Sequence, residues 1–240
     1  MTAHDPGERT RSRSQRALEA VRSHVQPGSF PLLLAAALLL LVLNGLATDS
    51  LAGAMLDRFG RVIVACAGLY VLSAKRVTLW IGLLVVGLVF SLEARLWGFD
   101  PQVNRVLQDS IAAGFFLWIL AVVLREVFRP ATTERDAVIG ALCGFVIILV
   151  VFTRIHGLIE ALSPGSYHVD GPPLAERPDL TLIATFQYFS IITLTTVGFG
   201  DIVPVTAAAR LATGFEAIAG QLYLAVVIAT LVGRVVSRRG

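Results

Sequence analysis

The sequence predicts an all-α transmembrane protein with six membrane helices and one shorter helix that enters the membrane without crossing it. Of its 240 residues, 55% are hydrophobic and only 15% are charged, and the mean hydropathy is +0.75. A soluble domain of this size needs more charge to cover its surface. The apolar residues also form long blocks rather than a helical or strand period, which is typical of membrane helices.

Six apolar blocks supply the predicted spans. The second and third are close to the lower length limit for a span and are separated only by Lys75 and Arg76, so one long helix is the alternative there. The first four blocks form a predicted membrane domain, residues 30–128. The blocks are Phe30–Ala47, Arg58–Ala74, Val77–Leu92, Leu107–Leu124, Ala137–Leu158 and Thr206–Val232.

The charge distribution predicts the orientation. Residues 1–29 are polar and hold five arginines, which favours a cytoplasmic tail, with a signal peptide as the alternative for the first 50 residues. With both termini inside, including a short tail at 235–240, most of the basic residues lie on the inner side, as the positive-inside rule requires. We therefore expect a multi-pass protein of the cell (inner) membrane with lipid as a partner. A net charge of only +3 gives no reason to expect nucleic acid.

Two further features of the apolar blocks limit the function. Cys66 and Cys143 lie inside apolar runs, which predicts buried structural thiols rather than a disulfide or a metal site. The fourth block carries no charge between Asp109 and Arg125. A voltage sensor needs several charges in the membrane field, each contributing about 2.3 kcal/mol per 100 mV, so steep voltage gating is not expected.

The connection between the fifth and sixth blocks divides into two parts. Ser163–Asp179, "SPGSYHVDGPPLAERPD", is rich in glycine and proline and predicts an exposed loop, within an outer segment at 159–179. The rest is apolar, but its helical part, residues 180–194, is too short to span a membrane. A re-entrant helix followed by a return loop fits both facts, with Asp179 as its predicted N-cap.

The return loop, residues 195–201, reads "TTVGFGD". Gly198 and Gly200 permit backbone dihedrals that other residues avoid, so successive carbonyls can be turned toward one axis. Rings of carbonyl oxygens can replace the water shell of a dehydrated potassium ion. The C-terminal end of the preceding helix also carries a partial negative charge, which favours a cation.

This loop resembles the selectivity filter of the potassium channel family, usually TTVGYGD. The resemblance implies that the Thr196 hydroxyl and four carbonyls bind K⁺ as the permeant ion, with no other cofactor. It also implies that Thr195, Gly200 and Asp201 support the loop, and that Tyr188 and Phe189 stand where the family often has two tryptophans. The four carbonyls belong to Thr196, Val197, Gly198 and Phe199.

The resemblance covers residues 136–234, the predicted pore domain. It comprises an outer helix at 137–158, the pore helix and filter, and an inner helix at 206–232. Gly220 falls where the family commonly has a gating hinge, and Glu216, four residues earlier, is a candidate brace behind the filter. Since each chain carries a single filter loop, four chains have to assemble around one axis, which predicts a homotetramer.

The function expected from these residues is passive, potassium-selective conduction, not enzyme catalysis. A weakly selective cation channel and a non-conducting regulatory membrane subunit are the alternatives, and the filter sequence favours the first interpretation over both.

Four positions depart from the family pattern or stand apart from it. Phe199 replaces the commoner tyrosine and lacks its hydroxyl, so we hypothesise a less firmly braced filter. Ile192 stands where some bacterial members carry a carboxylate that pairs with the aspartate after the filter. His156 and His168 lie in or near the outer loop and could respond to outer pH, although solvated histidines without that role are the favoured alternative.

Overall fold

The computed structural model describes residues 30–46, 98–129, 132–176 and 181–237, together with positions 80, 83, 84, 87, 88 and 91. Within these residues the protein is mostly helical. The six isolated positions are helical and fall in the predicted third span, whereas the predicted second span and residues 1–29 lie outside the described residues. The helices are α1 (Phe30–Gly45), α2 (Pro101–Val127), α3 (Glu134–Leu162), α4 (Leu182–Leu194) and α5 (Ala207–Ser237).

The helix starts follow the local sequence. The Asp100 carboxylate accepts the N–H of Gln102 at 2.8 Å ahead of α2, and Pro101 occupies the first turn, where its missing N–H is harmless. Thr133 caps α3 by accepting the N–H of Asp136 at 3.2 Å. In contrast, α4 begins after Thr181, which makes no side-chain capping bond, and the predicted cap Asp179 lies outside the described residues.

The relative directions of the helices follow from the residues that touch. α2 is antiparallel to α3, because Gln102 near the start of α2 donates to the carbonyl of Ala161 near the end of α3. α5 is antiparallel to α3 as well, since Tyr223 contacts Gly144 while Glu216 contacts His156. α1 instead runs in the direction of α3. Its first residue packs near the start of α3, and Leu41 packs near the middle.

The main apolar core lies between α1, α2 and α3. Its buried side chains include Leu33 and Leu40 of α1, Ile119 and Val123 of α2, and Ile147 of α3. Cys143 also lies in this core, as predicted, and its thiol donates to the carbonyl of Phe30 at 3.3 Å. α1 therefore packs directly on the helix that is expected to be the outer helix of the pore domain.

By length and composition, α2 and α3 could each cross a membrane, and α1 and α4 are shorter apolar helices. α2 has 27 residues and α3 has 29, against about 20 needed for a span. Both extend beyond the predicted bounds of 107–124 and 137–158. The predicted total of six spans stays a prediction.

The described part of the segment between α3 and α4 is only partly the exposed loop that the sequence predicts. It forms a short antiparallel sheet in which β1 (Tyr167–Val169) pairs with β2 (Ile202–Pro204), the segment that follows the filter loop. A 3₁₀ turn spans Leu174–Glu176. Tyr167, Val169 and Leu174 are buried, because they complete a second apolar core with Phe186, Phe189 and Ile192 of α4. The few apolar residues among the glycines and prolines were enough to fold this segment onto α4.

Candidate functional site

The filter loop begins where α4 ends, and one main-chain oxygen of α4 accepts two of its N–H groups. The N–H groups of Val197 and Gly198 both donate to the carbonyl of Ile192, at 2.8 and 3.1 Å. The N–H of Thr196 donates one residue further on, to Thr193, at 2.9 Å. In a trans peptide the carbonyl points opposite to the N–H of the next residue. The carbonyls of Thr196 and Val197 therefore point away from α4.

The backbone of the loop alternates in handedness. Thr196, Gly198 and Gly200 have φ values of 59°, 54° and 81°, whereas the residues between them do not have positive φ. The sequence predicts this conformation for the two glycines only. Thr196 is the exception, since a β-branched residue at positive φ is an uncommon and strained conformation. Such strain is typical of functional sites. The positive φ of Thr196 extends the alternation of backbone handedness to the start of the filter.

Asp201, just after the filter, is tied to two elements. Its carboxylate accepts the hydroxyl of Tyr188 at 2.7 Å, and its carbonyl accepts the N–H of Asp170 in the outer segment at 2.9 Å. The hydrogen bond to Asp201 raises the pKa of Tyr188 above its ordinary value of 10.0. Tyr188 thus supplies the bond from α4 to Asp201. Ile192, which stands where some bacterial members of the family carry a carboxylate, is buried in apolar surroundings.

The two aromatic residues of α4 face different environments. Tyr188 is exposed in the single chain, whereas Phe189 is 3% exposed and packs edge-on against the rings of His156 and Tyr167, at 5.0 and 5.6 Å between centroids. Tyr188 therefore contacts the filter loop directly, and Phe189 fixes α4 against the outer segment.

The hydroxyls of the two filter threonines have separate partners. Thr195 donates to the carbonyl of Ile191 at 2.6 Å, which closes the last turn of α4. Gln221 of α5 donates to the Thr196 hydroxyl at 3.4 Å. Gln221 was missed in the sequence, although it follows the candidate hinge Gly220 by one residue and the helical register would have placed it near the loop.

Gly220 and Glu216 both face α4. A Cβ added to Gly220 would overlap the carbonyl oxygen of Leu194, the last residue of α4, so this position has a packing reason to be glycine. Glu216 is fully buried, with one carboxylate oxygen 2.8 Å from Nε2 of His156. The expectation of a solvated histidine is wrong for His156, which is also fully buried, and fits only the half-buried His168.

A glutamine in the middle of α4 connects the site to α1. Nε2 of Gln187 donates to the carbonyl of Leu41 at 2.8 Å, and the side chain is 4% exposed. No pattern in the sequence signals this contact, because the two residues are far apart in the chain and an isolated glutamine in an apolar run has many possible partners.

Comparisons with known proteins agree with the interpretation of this loop as part of an ion channel. Residues 165–237, which run from the outer segment through the filter loop to the end of α5, match the family model described as "Ion channel". The match supports an ion channel, and the described residues include two helices long and apolar enough to cross a membrane.

A curated relative agrees with this match. The chain is 29% identical over 152 residues to the protein named "Voltage-gated potassium channel Kch" of Escherichia coli (strain K12). The alignment covers 63% of this chain and 31% of that protein, so the chain spans about a third of the relative's length. Together the two findings support the potassium channel family. No solved structure matches the chain.

Proposed function

We propose that this chain is a subunit of a homotetrameric potassium-selective channel, in which K⁺ moves passively through rings formed by the carbonyls of residues 196–199. The convergence of two N–H groups on the Ile192 carbonyl carries the proposal, because it leaves the opposite carbonyls free to face an ion. The alternating backbone handedness from Thr196 to Gly200 extends this arrangement along the loop.

A second copy of the chain is the proposed cover for the surface that α5 leaves open. Among the α5 residues whose burial the structure describes, the buried ones form a narrow stripe at Ala209, Glu216, Gly220 and Val227. Large apolar side chains lie exposed elsewhere on the same helix, and Val197 and Phe199 of the filter are 53% and 71% exposed. Exposed apolar surface of this extent marks a binding surface or contact with lipid. The exposed α5 side chains include Leu211, Phe215, Ile218, Leu222 and Val226.

The helix directions support the proposed topology in the cell (inner) membrane, with both termini on the cytoplasmic side. Six spans with a re-entrant α4 require α1 and α3 to run in one direction and α2 and α5 in the other. The contacts of these four helices have that pattern. In this topology the filter lies near the outer side and Arg129, just after α2, lies on the inner side.

The relative is named for voltage gating, and we propose that this chain differs in that property. α2 occupies the position of the fourth span, and its sequence has no charged side chain between Asp109 and Arg125. With so little charge to move through the membrane field, a steep response to voltage has no source in this helix.

The proposal is tested by reconstituting the purified protein in a planar bilayer under opposed K⁺ and Na⁺ gradients. The expected reversal potential is close to that for K⁺, and Gly198→Ala should abolish this selectivity. A Cβ at Gly198 meets no atom within 4 Å, so its effect would come from the left-handed backbone alone. Gly214→Ala is the matched control, since Gly214 is an exposed helical glycine with equally open surroundings.

Each alternative gives a different result in the same experiment. A reversal potential near zero in the wild type would support a weakly selective cation channel. Intact tetramers that pass no ion under any voltage or pH would support a non-conducting subunit. Monomers in a mild detergent, with no tetramer after cross-linking in membranes, would contradict the proposed assembly.

A further inference from the structure

Four polar side chains from four different elements meet behind the filter. They are His156 of α3, Tyr167 of β1, Ser190 of α4 and Glu216 of α5, and each is 0% exposed. Nδ1 of His156 lies 2.6 Å from the Tyr167 hydroxyl, and Nε2 lies 2.8 Å from Oε2 of Glu216. The Ser190 hydroxyl interacts with the Glu216 carboxylate. The imidazole therefore links the outer segment to the inner helix.

Aromatic rings enclose this imidazole. Phe186 lies nearly parallel to it at 6.2 Å between centroids, Phe189 meets it edge-on at 5.0 Å, and Phe152 lies at 6.2 Å. Phe186 and Phe189 belong to α4, so the position of α4 depends directly on the position of His156. One turn further along α4 is the Ile192 carbonyl that holds Val197 and Gly198. A displacement of the imidazole would thus be passed to the filter through one rigid helix.

The charges around the pair favour a shared proton. If His156 is neutral and Glu216 is ionised, the pair carries a buried negative charge, which is costly without a compensating cation. The neighbouring Glu160 adds a further carboxylate, bonded to the N–H groups of Gly165 and Tyr167. Arg154 on the same helix is paired with Asp109 of α2. One additional proton makes the pair of His156 and Glu216 neutral overall.

The same proton sets the direction of the bond to Tyr167. When both imidazole nitrogens carry hydrogen, Nδ1 donates and the Tyr167 oxygen accepts. When only Nε2 carries hydrogen, Nδ1 becomes an acceptor and the Tyr167 hydroxyl donates. Tyr167 itself stays neutral at physiological pH, because its burial and the charges of Glu160 and Glu216 raise its pKa. A single titration therefore changes both the charge of the pair and its bond to β1.

We propose that His156 and Glu216 are positioning residues for the filter, and that the proton they share makes potassium conduction depend on pH. This proposal rests on the proposed function of the filter loop. Loss of the proton as the pH rises leaves a buried negative charge against the rings of α4. The contact that holds α4 weakens, and the filter loses its conducting form.

The test compares the wild type with the double variant His156→Gln/Glu216→Gln in planar bilayers from about pH 5 to about pH 9. Two neutral amides can keep a hydrogen bond between α3 and α5, but they cannot exchange a proton in this range. The wild type is expected to lose most of its sustained K⁺ current as the pH rises. The double variant is expected to stay K⁺-selective. Its current should change less than about twofold across this pH range, which corresponds to a small free-energy difference.

His168→Gln is the matched control, because it removes a half-buried histidine of β1 that lies outside the pair. It should keep the wild-type pH profile. The proposal is overturned if the double variant keeps that profile, if the wild-type profile is flat, or if His168→Gln removes the dependence.

A second measurement is independent of conduction. The melting temperature of the purified protein in detergent should fall with rising pH in the wild type and in His168→Gln, but not in the double variant. If the wild type carries no K⁺-selective current, the proposed function fails, and this melting profile still decides whether the pair titrates. Identical melting profiles in the wild type and the double variant would overturn the pair as a proton-sharing device.

Discussion

The carbonyl oxygen of Leu194, at the end of α4, lies where a side chain on Gly220 of α5 would begin. The backbone that leads into the filter is therefore in direct contact with the inner helix. A hinge role for Gly220 rests on the family resemblance, whereas this contact is a property of the fold itself. If α5 bends or slides at Gly220, its backbone has to pass the last turn of α4.

We expect Gly220→Ala to disturb the filter, and not only the opening of the pore by a hinge in α5. The added methyl group overlaps main-chain atoms that cannot rotate away, and overpacking of this kind costs about 1–3 kcal/mol. The melting temperature and the K⁺ over Na⁺ permeability ratio should both fall. Gly214→Ala, in the same helix but with open space around it, should change neither. Equal effects of the two substitutions would contradict this account.

Tyr188→Phe should shorten the conducting periods of the channel, because it removes the bond of 2.7 Å to Asp201 while keeping the ring. The pKa of Tyr188 is raised, so the donating phenol is present below the ordinary value of 10.0 and is lost only as the pH passes the raised value. Single-channel recordings below pH 9 should therefore show the same effect of the substitution at every pH, unlike the pair behind the filter. Asp201→Asn, which keeps an acceptor oxygen, should be milder. Unchanged open times in Tyr188→Phe would argue against this bond as a support of the loop.

Phe199→Tyr should slow the decay of the current during long openings. The phenylalanine ring is 71% exposed in the single chain and cannot donate a hydroxyl hydrogen to a neighbouring helix. A tyrosine could do so once four chains surround the filter. Phe199→Leu serves as the control, since it also lacks a hydroxyl and should not slow the decay. Identical decay in the wild type and Phe199→Tyr would count against the hypothesis.

The ion pair between Asp109 of α2 and Arg154 of α3 should be important for stability. The closest atoms are 3.4 Å apart, and both side chains are largely buried. Removing the carboxylate in Asp109→Ala leaves the guanidinium without this partner, a loss that typically costs about 3–5 kcal/mol. The pair of Arg129 and Glu126, with 21% and 16% of its side chains exposed, offers a control, because it is better solvated and joins residues three apart, so Glu126→Ala should cost less. Melting temperatures of the two variants would separate these values, and similar losses would contradict the distinction.

The sequence was most informative where one local pattern required one conformation. The apolar blocks predicted α1, α2, α3 and α5 to within a few residues at most ends, because a long apolar run in a membrane protein has few alternatives to a helix. Gly198 and Gly200 likewise predicted the left-handed positions of the loop, which the backbone has.

Contacts between distant residues were much harder to predict. Glu216 was expected behind the filter, but its partner His156 was expected in or near the outer loop as a solvated histidine. The structure buries it instead, because α3 continues to Leu162 and packs against α5 there. The pairing of β1 with β2 was missed for a related reason. A three-residue strand is too short to show a recognisable alternation of apolar and polar residues. The pairing of β1 with β2 also depends on the tertiary contacts of Tyr167.

The hydrogen bond from Gln187 to the Leu41 carbonyl affects whether the pore domain can be exchanged between proteins as a unit. Segments that exchange cleanly between proteins are those whose buried polar groups find their partners within the segment itself. A transplanted fragment of residues 136–234 would carry Gln187 into its new host without that acceptor. Chimeras of this protein therefore need α1 to travel with the loop, because the packed unit around the filter is larger than the two helices that flank it.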